Sequence, residues 1–457
     1  MTRIVLLLIS ISIQAQNLDS LYRELVNIKT RSNSEQAPAQ IESTFQDKCA
    51  FGLLATMREN YSQYSKQQQD IISDVMARPE LSTSIVSPSG FFRLHYDESG
   101  TDAPLYDITD LAEALDSAFN FEINILGYPV PPSDGNLGGD DKYDVYVLNL
   151  GGGLYGATTP ETTIGEGKYI SYMEIDNSFE KNEGYNSYGI DGARVTAAHE
   201  FHHAIQLGGY IFRSEDTYYY ELTSTAFEEF VYDEVNDYYA YMPSYFRNTR
   251  NKFENNSGYN LAVWNIFLQE KFNDEDPLLG HKIVKRSWEN IVNDRAVVGL
   301  AKAITAETDL TFGQLFNEFG DWLYFTDSRA KPGEFFEESQ NYPLVRSSYT
   351  LQLNNNESLT FVSQPTSINY LTFFDYSSGF ADTIVAVLSN SDVVGSTTNN
   401  TLNVDFTISN DDFENAVSIG DLFYAKIESD GIEQIQGSYI VNNELSDQEF
   451  TREEISF

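Results

Sequence analysis

The chain is poor in cysteine, in histidine and in positive charge, and each shortage limits what the protein can be. Cys49 is the only cysteine among 457 residues, so no disulfide can form within the chain. Lysine and arginine number 28 against 69 aspartate and glutamate residues, which gives a net charge of −41. Because phosphate backbones are bound by lysine and arginine, this balance argues against a nucleic-acid partner.

Long apolar runs are also scarce, and the first residues contain the main exception. A basic start precedes an apolar run from Ile4 to Ile13, and a small residue, Ala15, follows. This order predicts a signal peptide at residues 1–15, whose apolar part is too short to anchor in a bilayer. We therefore expect a protein that is secreted or held in the cell envelope, with no transmembrane segment after the signal is removed.

Three of the five histidines fall in one short motif, His199-Glu200-Phe201-His202-His203. On a helix, residues four apart lie on one face, so His199 and His203 can bind one zinc ion. Glu200 then lies beside the ligands, where it can deprotonate a water that the zinc activates. We predict that His202 is a packing or supporting histidine, with metal ligation as the alternative.

The flanking residues predict a helix long enough to carry this motif. Asp191 is the predicted N-cap, small and apolar residues fill the next turns, and Gly208-Gly209 is the predicted stop.

A catalytic zinc usually has three protein ligands, so a third must come from elsewhere. The metzincin extension of the motif requires a glycine and a histidine where this chain has Gln206 and Gly209, and it is excluded. A second helix is predicted at residues 218–230, with an apolar stripe and Glu221 near its start. Glu221 is the predicted third ligand, and Glu228, two turns along the same face, is the rival.

An H-E-x-x-H motif followed by a glutamate on the next helix resembles the gluzincin arrangement. Many gluzincins brace the first histidine with an acidic residue four positions after that glutamate, where this chain has Thr225. Five segments are also similar to a family of secreted bacterial metallopeptidases that is defined largely by its motif. They are Ser87–Tyr96, Leu126–Asp134, Gly138–Tyr146, His199–Gln206 and Glu221–Ala226. The similarity spans roughly residues 45 to 340 and implies zinc peptidase activity on a protein or peptide substrate.

The pattern of apolar and polar residues along the chain predicts an α+β protein with three regions after the signal peptide. Residues 16–85 are helix-prone and form an N-terminal segment or a propeptide. Residues 86–340 mix strands with helices and contain the motif, which predicts a zincin-like catalytic domain. Residues 341–457 alternate in short runs and predict a β-sandwich. By the gluzincin resemblance, the strand expected at 168–175 is the edge strand that pairs with an extended substrate.

Four further predictions concern single residues and short loops. Tyr259 begins an apolar segment and is a candidate to stabilise the oxyanion of the reaction, with a packing tyrosine as the alternative. His281 is the second candidate, with a surface histidine as the alternative. Cys49 is interpreted as a buried, inert thiol because its neighbours match no latency motif, and the alternative is a thiolate that binds the zinc in a latent form. The acidic loops at 134–144 and 233–237 are candidate calcium sites, or else turns and solvated surface.

Together these features predict a secreted zinc endopeptidase. His199, His203 and Glu221 hold the metal, and Glu200 is the general base and later the proton donor to the leaving amine. Two alternatives stay open from the sequence: a non-catalytic cell-surface or adhesion protein that keeps the fold, and a metal-dependent hydrolase of a non-peptide bond.

Overall fold

The computed structural model describes residues 18–27, 48–352, 356–374, 383–396, 401–410, 423–429, 434–442 and 450–454. It mixes helices with sheets, as the predicted α+β class requires. The chain divides into two compact units, Met1–Tyr238 and Tyr239–Phe457. The predicted signal peptide lies outside the described residues, and none of the helices within them is long and apolar enough to cross a membrane.

The first unit surrounds one mixed sheet. Its described helices are α1 (residues 18–27), α2 (Phe51–Glu59), α3 (Lys66–Val75), α4 (Ile108–Phe119), α5 (Gly189–Gly209) and α6 (Thr217–Val231). Its strands are β1 (Thr83–Val86), β2 (Phe92–Tyr96), β3 (Tyr143–Leu148), β4 (Gly156–Gly165) and β5 (Lys168–Asp176). A π-helical stretch, Asn120–Ile125, continues α4, and 3₁₀ turns lie at Tyr61–Gln63, Leu137–Gly139 and Ser214–Asp216.

The strand order corrects one sequence prediction. The order is β1-β2-β3-β5-β4, with β2, β3 and β5 parallel and with β1 and β4 antiparallel at the two edges. The strand expected at 168–175 is therefore internal, and β4 is the edge next to it. The sequence of β4 gave little strand signal because it contains Pro160, which has no N–H to donate and which sheets tolerate on edge strands.

Helix α5 is the centre of this unit, and its residues from Gly192 to Leu207 are buried apart from Arg194. It packs on β5 and β4 on one side and on α4 and α6 on the other. Its start differs from the prediction, because Tyr188 is the N-cap and Asp191 lies in the first turn. A carboxylate there still stabilises the helix dipole.

The predicted stop at Gly208-Gly209 is confirmed, since α5 ends at Gly209. Close packing explains why both positions are glycine. A Cβ on Gly208 would approach Pro132 to 2.2 Å, and a Cβ on Gly209 would approach Pro129 to 2.4 Å. Only glycine lets the loop that carries these prolines lie against the helix end.

The N-terminal helices pack on the beginning of the edge strand. Leu25 of α1, Leu54 of α2 and Ile72 of α3 share a buried apolar cluster with Leu154 and Ala157. The described part of residues 16–85 is thus helix-rich, as predicted, and it is built into the core of the first unit.

The second unit begins with helices and continues with strands. The helices are α7 (Pro243–Arg247), α8 (Ala262–Phe272), α9 (Leu279–Asn290), α10 (Ala296–Glu307), α11 (Phe312–Tyr324) and α12 (Val393–Ser396). The strands are β6 (Tyr349–Gln352), β7 (Asn356–Ser363), β8 (Ser367–Phe374), β9 (Thr383–Asn390), β10 (Leu402–Asn410), β11 (Phe423–Ser429), β12 (Ile435–Asn442) and β13 (Phe450–Glu454). The change from helix to strand falls near residue 341, whereas the compact units divide at 238/239. The predicted domain boundary at 340 stays a prediction.

The described strands of the second unit form two sheets that share one apolar cluster. One sheet has the order β11-β10-β7 and the other β13-β12-β9-β8-β6. The cluster joins Phe361 and Phe406 of the first sheet to Leu371, Phe373 and Ile384 of the second.

Candidate metal centre

Three of the predicted ligands meet inside the first unit. The Nε2 atoms of His199 and His203 lie 3.1 Å apart, as expected for residues one turn apart on α5. The Oε2 atom of Glu221, from α6, lies 3.2 Å from Nε2 of His199 and 3.3 Å from Nε2 of His203. All three side chains are buried. The two helices therefore bring three donor atoms into a nearly equilateral triangle.

This triangle has the dimensions of one face of a tetrahedral zinc site. With Zn–N and Zn–O bonds near 2.0–2.1 Å, ligand atoms in a tetrahedron are about 3.3 Å apart. The Oε2 atom of Glu221 is buried without a hydrogen-bond partner, which is costly for a carboxylate unless a cation is bound there. The donor set of two imidazoles and one carboxylate is a common one for catalytic zinc.

Glu228, the rival ligand, has a different position. Its Oε1 atom lies 2.7 Å from Nδ1 of His199, and its Oε2 atom accepts a hydrogen bond of 2.6 Å from Lys48. Such a carboxylate fixes the ring and makes Nδ1 the protonated nitrogen, so the lone pair of Nε2 faces the metal position. Glu228 thus supplies the brace that Thr225 does not. The sequence signal for it was its location two turns after Glu221 on the same face.

His203 is oriented by polar groups of both helices. Its Nδ1 atom lies 2.7 Å from Oε1 of Gln206 and 3.1 Å from the hydroxyl of Ser224. The amide nitrogen of Gln206 donates to the carbonyl of Tyr220 at 3.2 Å, and this contact fixes which amide atom faces the histidine. Because Oε1 only accepts, His203 donates from Nδ1, and its Nε2 also presents a lone pair. Two lone pairs and one carboxylate at this distance form a group that could hold a metal ion.

Glu200 lies between the motif helix and the edge strand. Its Oε2 atom accepts a hydrogen bond of 2.7 Å from the hydroxyl of Thr158 on β4, while its Oε1 atom is buried without a hydrogen-bond partner. The approach is close, because a Cβ on Gly156 would lie 2.9 Å from Oε1 of Glu200. A glycine at the start of β4 is therefore needed to admit the carboxylate.

The charges of the centre favour an ionised Glu221. Burial alone would raise the pKa of Glu221, but the two neighbouring imidazoles, His203 first, hold it at about 2. Burial alone would lower the pKa of His199, but the neighbouring carboxylates of Glu221 and Glu228 raise it to about 9. The carboxylates thus create a negative environment that attracts a cation.

Cys49 joins the same group of ligand atoms, although the sequence favoured an inert thiol. Its Sγ atom and the donor atoms of His199, His203 and Glu221 all lie within 4.8 Å of one another. Burial raises the pKa of the thiol well above its usual range, and the charges of Glu200 and Glu221 raise it further.

His202 is not part of the ligand group, as the sequence predicted. Its Nδ1 atom lies 2.7 Å from Oε2 of Glu122, which belongs to the π-helical stretch after α4. Its ring stacks on Phe227 of α6, with 4.1 Å between ring centres. His202 therefore connects α5 to α4 and α6.

The two candidates for oxyanion stabilisation belong to the second unit. Tyr259 is buried at the start of the 3₁₀ turn Tyr259–Leu261, and its ring lies 5.5 Å from that of Tyr241. His281 is buried in α9, and burial lowers its pKa to about 4. Their roles in the reaction stay predictions.

The two candidate calcium loops contain acidic groups that pair with cations of the chain. Asp134 and Asp144 bind Arg78, and Asp140 binds Arg93. In the second loop, Asp237 lies 2.8 Å from Lys48. Within the described part of the chain, neither loop gathers three side chains of the ligand type. Calcium thus gains no support from the geometry.

Comparison with known proteins adds nothing to this geometry. No protein-family model matches the chain, and a search of curated proteins finds no match.

Proposed function

We propose that the protein is a zinc-dependent endopeptidase. One observation carries the proposal: Nε2 of His199, Nε2 of His203 and Oε2 of Glu221 lie 3.1–3.3 Å apart, with the buried carboxylate of Glu200 next to them. A zinc ion bound there would supply Lewis acidity and lower the pKa of a water to about 7. These are the parts that hydrolysis of an amide bond requires.

The residues around the ligands have separable roles in this proposal. Glu200 takes the proton of the attacking water and later delivers it to the leaving amine. Thr158 holds one of its carboxylate oxygens and leaves the other, Oε1, available for that proton. Glu228 and Gln206 keep both ligand rings in the tautomer that binds metal.

An extended peptide is the substrate that the sheet favours. The edge strand β4 contains Thr158, which contacts Glu200, so a peptide paired with β4 has its backbone beside the catalytic carboxylate. Main-chain hydrogen bonds to such an edge bind peptides with little dependence on their sequence. This geometry favours a peptide bond over other substrates.

The export signal, the zincin-like class and a C-terminal β-sandwich belong to the same proposal. Two sheets with a common apolar cluster support the sandwich. Tyr259 is the proposed oxyanion donor, and a fall in kcat with little change in KM for Tyr259→Phe would support that role.

The test is hydrolysis of casein by the zinc-loaded full chain. Because Cys49 lies beside the ligands, the assay is run on the natural chain and on Cys49→Ala. We expect activity that disappears with a chelator, returns with zinc and is absent from the corresponding Glu200→Gln chains. Zinc-loaded protein that cleaves esters or glycans, but no peptide in a broad library, would contradict the proposal.

A further inference from the structure

The short segment from Lys48 to Phe51 lies on the edge strand, next to the metal centre. The amide of Ala50 donates to the carbonyl of Gly156 at 3.2 Å, and the amide of Tyr155 donates to the carbonyl of Lys48 at 2.8 Å. Cys49 and Gly156 form a parallel bridge. The segment therefore already occupies the beginning of the edge that a substrate would use.

The thiol of Cys49 faces the ligands from this segment. Its Sγ atom belongs to the same buried group as His199, His203 and Glu221, and it accepts a hydrogen bond of 3.3 Å from the amide of Phe51. A Cys-His₂-Glu set contains four good zinc donors, which is the number that a closed, tetrahedral site uses. A catalytic site needs one position open to water.

The residues on both sides of Cys49 hold it in place. Lys48 lies 2.6 Å from Glu228, the brace of His199, and 2.8 Å from Asp237, and all three side chains are buried. Phe51 stacks on the ring of His203, with 3.8 Å between ring centres and 10° between planes. Lys48 and Phe51 thus each contact a residue that is proposed to bind or orient the metal.

Resting on the proposed function, we propose that the thiolate of Cys49 is the fourth zinc ligand and that residues 48–51 block the centre. The thiol would release its proton to solvent as the sulfur–metal bond forms, and water would no longer have a coordination position. The chain is then latent. Activity requires that water replace the sulfur, either because the segment leaves the edge of β4 or because the thiol is modified.

Cobalt spectroscopy tests the ligand set without any substrate. Co²⁺ is loaded into the full chain in place of zinc, and the near-ultraviolet spectrum is recorded for a sulfur-to-cobalt charge-transfer band. Since Cys49 is the only cysteine of the chain, such a band has one source. We expect the band in the natural chain and in Phe51→Leu, which disturbs the same segment but keeps the sulfur, and we expect its loss in Cys49→Ala.

Azide then reports whether a coordination position is open. Added azide should leave the cobalt spectrum of the natural chain unchanged and should shift that of Cys49→Ala. On casein, Cys49→Ala should be at least about tenfold more active than the natural chain, because a tethered ligand competes with water at a high effective concentration. Circular dichroism shows whether each variant is folded.

The outcomes separate this inference from the peptidase proposal. A natural chain without a thiolate band, or one that binds azide as well as Cys49→Ala does, overturns the latency inference even if both cleave casein. A thiolate band and an azide-accessible Cys49→Ala chain that hydrolyses no peptide support the inference for the metal centre and contradict the proposed peptidase.

Discussion

The first unit contains two clusters of acidic side chains, and they differ in the source of their cation. In one, Arg78 binds Asp134, Asp144 and Glu161, with hydrogen bonds of 2.8 and 2.6 Å to the two carboxylate oxygens of Glu161. In the other, Glu221 faces two histidines and has a buried oxygen without a hydrogen-bond partner.

This difference shows how an acidic group can be assigned to structure or to metal binding. Carboxylates that are buried with a guanidinium form a closed ion-pair network, which needs nothing from solution. Lys48, which precedes Cys49 of the Glu221 cluster, pairs with Glu228 and Asp237 instead. We therefore expect the second cluster to take its cation from solution, whereas the acidic loop at 134–144, which the sequence offered for calcium, is paired with arginine.

The largest effect should come from neutralising Glu200, the proposed general base of the metal centre. Glu200→Gln keeps the shape and should lower kcat/KM on casein by about 10²–10⁴-fold, because the general base is lost. Zinc content should not change, and it is measured on the same samples.

Glu174→Gln is the matched control for this variant. Glu174 is a half-buried glutamate on β5, and loss of contact with water raises its pKa to about 7, so about half of its charge is already absent at neutral pH. We expect a far smaller change in kcat/KM. Equal losses for the two variants would deny Glu200 a specific catalytic role.

The next prediction concerns Arg78 and the carboxylates paired with it, whose loss should change stability but not metal binding. Arg78→Leu leaves buried carboxylates without their cation and should lower the free energy of unfolding by about 3–5 kcal/mol, with zinc content per folded chain unchanged. Arg93→Leu removes a more exposed partner of Asp140 and should cost about 1 kcal/mol or less. Denaturant unfolding and metal analysis give both numbers. Loss of zinc from folded Arg78→Leu would contradict the view that only the Glu221 cluster binds metal.

A further prediction concerns His281, a buried histidine that has no charge at neutral pH, unlike the charged clusters above. Burial lowers its pKa to about 4, from an ordinary value of about 6.5. Between these values the unfolded chain binds a proton that the folded chain does not, so stability falls as the pH drops from about 6.5 to 4, by up to about 3 kcal/mol. Hydrogen exchange of α9 should therefore accelerate in this range. In His281→Gln the acceleration should be smaller, and an identical pH profile would contradict the assignment.

A smaller effect is expected when Glu228, the carboxylate that orients His199, is changed. Glu228→Gln should weaken zinc binding by about 10–100-fold, because the acceptor that orients the ring loses its charge. Competition with a chelator measures the affinity. Glu229→Gln, the next residue of α6, is the control and should bind zinc like the natural chain. Equal affinity for all three proteins would show that the brace is dispensable.

The sequence predicted the ligands because their spacing is a local property of helices. His199 and His203 are four residues apart on one helix, so helical periodicity placed them on one face. Glu221, on the next helix, was predicted from the resemblance to the gluzincin arrangement. The end of α5 was predicted for the same reason, since Gly208 and Gly209 interrupt the helical pattern.

What the sequence did not predict depends on contacts between distant parts of the chain. Lys48 and Glu228 are 180 residues apart, and no pattern marks them as partners. The place of Cys49 beside the ligands, and of β4 at the sheet edge, likewise follows from the packing of α2 on the sheet. Pro160 concealed the edge strand. A proline in a sequence argues against a central strand, but an edge strand such as β4 tolerates it.

Metal analysis of the purified full chain beside Glu221→Ala and Glu228→Ala tests the central claim most directly. We predict one zinc per natural chain, near-complete loss in Glu221→Ala, and zinc that is retained but more weakly bound in Glu228→Ala. A natural chain that takes up no divalent metal, or zinc lost only from Glu228→Ala, would contradict a centre built from His199, His203 and Glu221.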